Sequence, residues 1–180
     1  MSALRTLLDG NQRFASTFAD SELPIKPRLG TIVLTCVDTR LDPARFLDVA
    51  PGDILVLRNT GGRLTQGVLL DLAVLGFLAS GPLGGPPVSP ELVIIHHTDC
   101  GMSRLVDPEA QRALGERLGI SSEAVAAMAI ADPAESVKDD VEKFLHTPGV
   151  PATFVVSGHV YDVATGLLDE VVAPSSPPAG

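Results

Sequence analysis

The chain has 180 residues, 45% hydrophobic and 19% charged, which is enough for a single domain with a sizeable core. Its formal net charge of −9 argues against a binder of nucleic acid or anionic membranes, because both need clustered Lys and Arg. No apolar run approaches the roughly 18 residues of a membrane-spanning helix, and the N-terminus lacks the apolar core of a signal peptide. We therefore expect a cytoplasmic protein, in which two cysteines more often bind a metal or act in catalysis than form a disulfide.

The first predicted element is a helix over residues 2–18, with Ser2 as its N-cap and apolar residues near helical spacing at Leu4, Leu7, Leu8 and Phe14. A proline-containing connector over residues 21–30 follows. Thr31–Cys36 is a near-continuous apolar run, which is typical of a parallel strand buried on both faces.

The middle of the chain alternates helices and strands. Asp42 is predicted to cap a helix from Pro43 to about Val49, and residues 54–57 to form the second strand. A glycine-rich loop over residues 58–63 precedes a buried helix over 65–78. The Pro- and Gly-rich stretch 80–90 is predicted to be a surface loop that leads into a third strand over 91–95.

The C-terminal part is predicted to contain three helices, followed by strands. The helices span residues 108–118, 121–130 and 133–146, a fourth strand spans 152–157, and a hairpin pairs 159–163 with 167–172. Residues 174–180 are expected to be a disordered tail. Residues 1–173 are then one α/β domain, with a central, mostly parallel sheet flanked by helices and an antiparallel C-terminal edge.

Chemically active side chains follow two of the predicted strands. Cys36 ends the first strand, while His97 and Cys100 follow the third. Ligands of parallel sheets bind beyond the carboxyl ends of the strands, so we expect the three side chains to meet there. Thiolates and an imidazole suit zinc, and a set of three protein ligands leaves the open position of a catalytic rather than a structural metal.

Asp38 and Arg40 extend this candidate site. At i and i+2 in an extended segment they point to the same side as Cys36. Arg40 can pair with Asp38 and keep it ionised. Asp38 could then accept a hydrogen bond from the attacking hydroxide and orient it, or it could take the fourth zinc position and close the site.

The motifs in this order resemble those of the β-class carbonic anhydrases, in the short form found in some bacteria and archaea. They are Cys36-x-Asp38-x-Arg40, Pro51-Gly52-Asp53, Arg58-Asn59-Thr60-Gly61-Gly62 and His97-x-x-Cys100-Gly101. The resemblance implies one zinc ion per chain on Cys36, His97 and Cys100, with Asp38 and Arg40 as a catalytic dyad. The zinc-bound hydroxide, oriented by that dyad, would attack carbon dioxide to give bicarbonate and a proton. It also implies a homodimer or a higher homo-oligomer, in which the N-terminal helix packs on a partner subunit.

Alternatives remain open at this point. His96 stands where the family often has Gly, although alternation along a strand favours His97 as the ligand. Relatives with nearly the same motifs hydrolyse carbonyl sulfide or carbon disulfide. Two further alternatives are a regulatory protein with a vestigial zinc site and a disulfide between Cys36 and Cys100.

Overall fold

A single five-stranded sheet organises the part of the chain that the computed structural model describes, which is residues 2–19, 22–23, 25–80 and 90–178. The strands are β1 (Thr31–Cys36), β2 (Ile54–Asn59), β3 (Glu91–His97), β4 (Val155–Tyr161) and β5 (Leu168–Ser175). Their order is β2-β1-β3-β4-β5. The first three pairings in this order are parallel, and β4 and β5 are antiparallel. The predicted α/β class and its antiparallel C-terminal edge are therefore confirmed.

Six α-helices lie in the described residues: α1 (Ala3–Ala15), α2 (Pro43–Phe46), α3 (Gln66–Ser80), α4 (Pro108–Leu118), α5 (Ser122–Ala126) and α6 (Pro133–Leu145). Two short 3-10 helices span Thr60–Gly62 and Gly101–Val106. Among the helices described, none is long and apolar enough to cross a membrane.

The main core lies where the sheet meets α3 and α6. Side chains of β1, β3 and β4 contribute, as do Val68 and Leu72 of α3 and Val137, Val141 and Phe144 of α6. Gly158 lets α6 approach β4 closely, because a Cβ atom there would lie 3.0 Å from Val141 and 3.2 Å from Val137. A second apolar cluster forms around Cys36 and Cys100.

The structure confirms several predicted boundaries. β1 and α4 have the predicted limits, and α6 ends one residue short of its predicted limit. Ser2 caps α1, since its hydroxyl accepts a hydrogen bond of 3.3 Å from the Arg5 amide. The predicted loop over residues 80–90 falls mostly on residues 81–89, which lie outside those described.

Other boundaries were wrong. Asp42 precedes α2 but makes no capping side-chain hydrogen bond to the described residues, and α2 ends at Phe46 rather than near Val49. α1 ends at Ala15 rather than at residue 18. α5 ends at Ala126 rather than at residue 130. The amide of Ile130 donates to Met102 O and not to a carbonyl of the helix.

The strands at the C-terminal edge also differ from prediction. The two separate strands predicted over 152–157 and 159–163 are one strand, β4, which continues through Gly158 under the helix α6. β5 runs to Ser175, which pairs with Val156. The predicted disordered tail therefore does not begin at Pro174. This proline is accommodated on the edge strand, where its missing N–H costs little.

Candidate metal centre

The strand register brings the two chemically active stretches to the same edge of the sheet. β1 pairs with β3 in parallel from Thr31 opposite Glu91 to Thr35 opposite Ile95. Cys36 and His97 therefore both lie at the carboxyl ends of adjacent strands. Asp99 adopts a left-handed conformation, with φ of 53°, in the turn that leads to Cys100.

Three potential ligand atoms, one each from Cys36, His97 and Cys100, lie within 4.8 Å of one another, and all three residues are buried. The sequence predicted this set, and the structure brings it together. His97 Nδ1 is 2.9 Å from Thr98 O, so that nitrogen is engaged by the backbone. His97 Nε2 is buried without a hydrogen-bond partner among the described residues. A ring nitrogen held by a carbonyl and a second one left without a partner is the usual arrangement of a metal-binding histidine.

The electrostatics of these three residues fit a bound cation. Burial lowers the pKa of His97 and so favours the neutral imidazole that a metal requires. Burial, with a smaller contribution from the neighbouring Cys36, raises the pKa of the Cys100 thiol to about 11. Two thiolates this close need a compensating positive charge, which a divalent zinc ion would provide. The Gly61 amide also donates to Cys36 Sγ at 3.3 Å.

Asp38 and Arg40 form an ion pair beside the three potential ligands. Asp38 Oδ1 accepts hydrogen bonds from the Arg40 amide at 2.9 Å and from Nε at 3.0 Å, while Oδ2 accepts from Nη2 at 2.8 Å. The Arg40 guanidinium holds the pKa of Asp38 well below its usual range, and Asp38 raises the pKa of Arg40. Among the described residues, the group that could hold a metal does not include the Asp38 carboxylate.

Arg40 also contacts the turn that precedes Cys100. Its Nη1 donates to Asp99 Oδ2 at 2.7 Å and its Nη2 donates to Asp99 O at 2.9 Å. One guanidinium therefore bridges the segment after β1 and the segment after β3. The side chain of Asp99 is 80% exposed, so this second contact is solvated.

Sequence reasoning missed the side-chain role of Arg58, the penultimate residue of β2, which lies opposite Thr35 of β1. Arg58 Nε donates to Cys36 O at 3.0 Å and Nη2 donates to Asp38 O at 2.7 Å. These bonds fix the backbone on which both side chains stand. The sequence feature that could have indicated this role is the position of Arg58 directly after the predicted second strand, which pairs with β1.

His96 lies outside the three-atom group. It is fully buried, and its Nε2 lies 3.3 Å from Asp140 Oδ2 on α6. Asp140 was also missed by sequence reasoning. The signal was a carboxylate at helical spacing among the apolar residues Val137, Val141 and Phe144, where a buried charge needs partners.

Apolar side chains surround the candidate centre. Leu41 and Ile130 are buried against the two cysteines, and partly buried residues pack around them, namely Phe46, Met102, Tyr161 and Val163. On the Arg40 side an open cleft of approximately 390 Å³ is lined by Arg40, Asp42, Arg45, Phe46, Tyr161 and Gly166.

Comparisons with known proteins find similar sequences and similar folds. The sequence model of the family described as carbonic anhydrase matches residues 31–168. Beta-carbonic anhydrase 1 of Mycobacterium tuberculosis is 33% identical over 171 residues, which cover 95% of this chain and 99% of that protein. A crystal structure of carbonic anhydrase from Streptococcus mutans has a TM-score of 0.78 at 33% identity and covers 95% of this chain and 98% of that one. A carbon disulfide hydrolase of Acidianus sp. is 26% identical and covers 76% of this chain and 74% of that protein.

Proposed function

Because this chain belongs to the β-carbonic anhydrase family of enzymes, we propose that it catalyses the reversible hydration of carbon dioxide to bicarbonate and a proton at one zinc ion per chain. The observation that carries the proposal is the convergence of Cys36, His97 and Cys100 at one sheet edge beside the paired Asp38 and Arg40. A binding module has no need of that ion pair.

The residues that would hold zinc are Cys36 and Cys100 through sulfur and His97 through Nε2. When bound, zinc supplies a hydroxide nucleophile near neutral pH by acidifying water, as it does in the carbonic anhydrases that use three histidines. Two thiolates donate more charge than imidazoles do, so the surrounding residues must support this acidification.

Asp38 would orient the attacking oxygen species. An ionised carboxylate has about four acceptor positions, and three of the Asp38 hydrogen bonds come from Arg40. About one acceptor position therefore remains for the reacting group. Because Arg40 keeps the carboxylate ionised, Asp38 can accept a hydrogen bond throughout the neutral pH range.

Arg40 and Arg58 would pre-organise this arrangement. Arg40 is itself held by Asp99, and Arg58 holds the carbonyls of Cys36 and Asp38. Groups fixed before the reaction stabilise developing charge without reorganisation at the moment of reaction. The apolar wall around Leu41 and Ile130 suits an uncharged substrate such as carbon dioxide.

Carbonyl sulfide or carbon disulfide hydrolysis at the same zinc site is the second candidate. The likeness to a carbon disulfide hydrolase at 26% identity favours it, and the same apolar wall would accept these linear molecules. Stopped-flow hydration of carbon dioxide, run beside sulfide release from carbonyl sulfide and carbon disulfide, separates the two. Hydration no faster than in buffer, together with sulfide release, would replace the first function by the second.

We also propose that the working form is a cytoplasmic homodimer or larger homo-oligomer. Within the described chain α1 buries none of its own residues, and it leaves an apolar stripe of Leu4, Leu7, Leu8 and Phe14 exposed. α3 likewise exposes Leu70 and Val74. Packing α1 on a partner subunit would remove these surfaces from water. Two free cysteines at the site fit a reducing compartment.

A further inference from the structure

The loop that supports Cys36 is closed on itself. We call Asn59–Leu64 the Gly61 loop. Asn59 Nδ2 donates to Arg63 O at 2.8 Å, and the Arg63 amide donates to Asn59 Oδ1 at 2.9 Å. Inside this ring the Gly61 amide reaches Cys36 Sγ at 3.3 Å. Gly62 lies so close to β1 that a Cβ atom would be 2.9 Å from the Cys36 nitrogen.

Two side chains of α6 clamp the end of the Gly61 loop. Asp140 Oδ2 accepts from the Leu64 amide at 3.0 Å and from Arg63 Nε at 2.8 Å, and Oδ1 accepts from Arg63 Nη2 at 3.3 Å. One turn later, Lys143 Nζ donates to Leu64 O at 2.6 Å. Both backbone polar groups of Leu64 are thus held by α6.

Asp140 also contacts β3, the strand that carries His97. Its Oδ2 lies 3.3 Å from Nε2 of His96, the strand neighbour of His97. Asp140 is 2% exposed and His96 is fully buried. The Asp140 carboxylate therefore contacts both the Gly61 loop and the strand that carries His97.

From this geometry we propose that Asp140 is a positioning residue for the metal centre, which acts by holding the Gly61 amide on Cys36 Sγ. The inference rests on the proposed function in that it takes Cys36 as a zinc ligand. An N–H···S hydrogen bond draws charge away from a thiolate, so it preserves the Lewis acidity of a metal that carries two thiolates. Outer contacts of this kind orient ligands and tune the metal.

The chemistry of the clamp agrees with this role. A buried ion pair contributes little net stability compared with apolar residues of the same volume. Asp140 and Arg63 instead fix the path of a glycine-rich loop that has few side chains of its own to hold it. A purely structural ion pair would change the stability of the protein but leave the electronic state of Cys36 unaltered.

The test compares Asp140→Asn with Asp139→Asn, which changes the same residue type one position earlier on the exposed face of α6. Each full-length protein is loaded with cobalt(II), and its thiolate-to-cobalt absorption is recorded. We expect the band of Asp140→Asn to move to lower energy and its metal affinity or kcat to fall about 10-fold or more at unchanged KM. Asp139→Asn should match the wild type. An Asp140→Asn protein with wild-type absorption and affinity would overturn the proposal.

Lys143→Met keeps the test decisive if Asp140→Asn does not fold. It removes the hydrogen bond to Leu64 O and keeps the aliphatic stem, so a smaller shift in the same direction is expected; an unshifted band in a folded Lys143→Met protein would then count against the clamp. The absorption is read without carbon dioxide. If the wild-type protein fails to hydrate carbon dioxide while Asp140→Asn still shifts the band relative to wild type, the proposed function is contradicted and the clamp stands.

Discussion

Replacing Asp38 with Asn is expected to separate catalysis from folding. Asn keeps the size of the side chain and one carbonyl oxygen that can accept from the Arg40 amide and Nε, as Asp38 Oδ1 does now at 2.9 and 3.0 Å. It removes the negative charge and presents an NH2 group to Arg40 Nη2. The acceptor position of the Asp38 carboxylate that we assign to the reacting group is then lost, or the carbonyl oxygen that provides it points toward Arg40.

The structure indicates a small loss of stability and a large loss of activity for Asp38→Asn. The Asp38 side chain is 18% exposed and that of Arg40 is 42% exposed, and Arg40 retains Asp99 as a partner. A solvated pair of this kind contributes about 0–1 kcal/mol to stability. Loss of a hydrogen-bond acceptor positioned on the reacting group costs about 100-fold or more in rate, which is about 2.7 kcal/mol. The expected loss of activity thus exceeds the expected loss of stability.

Three measurements check this prediction on the same preparations. Stopped-flow hydration of carbon dioxide gives kcat, metal analysis gives zinc per chain, and thermal unfolding gives Tm. We expect zinc near one per chain and a Tm lower by no more than about 4 °C. Asp139→Asn is the matched control, because it makes the same change at an exposed position of α6. Activity of Asp38→Asn within about threefold of wild type would remove Asp38 from the mechanism.

Three further predictions concern the loop, the surface and a buried carboxylate. Gly62→Ala should destabilise by about 1–3 kcal/mol, because φ is +69° and a Cβ atom would meet the β1 backbone. The control Gly67→Ala, in helix α3 with no contact closer than 3.7 Å, should keep the wild-type Tm or raise it slightly. Leu7→Glu should lower the mass measured by light scattering without unfolding the chain, since Leu7 is 70% exposed; an unchanged mass, or the same fall in Thr6→Glu, would exclude α1 from the interface. The Ala50 amide and the Arg28 guanidinium lower the pKa of Asp53, so its stabilisation is present above the unfolded pKa of about 3.9 and is lost as pH falls through the lower folded value. The Tm difference between wild type and Asp53→Asn should therefore shrink in acid, and a difference that is constant with pH would contradict this.

The central strand of the sheet and the grouping of the potential metal ligands could be predicted from the sequence. β1 could be predicted to the residue because a short apolar run between a glycine and a polar motif has few alternatives. The meeting of Cys36 with His97 follows from the rule that sites form at the carboxyl ends of parallel strands. Asp38 does pair with Arg40 as predicted, but the pair forms across a turn, in which the Leu41 amide donates to Asp38 O, and not in the extended segment that the prediction assumed.

What could not be predicted depends on contacts between distant residues. The end of α5 is set by Met102, which accepts the Ile130 amide, and the continuity of β4 through Gly158 is set by α6. Asp140 finds Arg63 and Leu64 at 77 and 76 positions along the chain. Local propensity holds no information about such partners. A charged residue on the apolar face of a helix indicates that partners exist, but not which residues they are.

The hydrogen bond from Thr35 Oγ to Ile95 O, 2.9 Å long and spanning 60 positions, lies buried just behind the two strand ends. It joins β1 to β3 before either strand reaches its sulfur or imidazole. The backbone that carries Cys36 and His97 is therefore held in register by contacts that involve no metal. Metal-free protein made under zinc starvation should then be recoverable by simply adding zinc, without a refolding step.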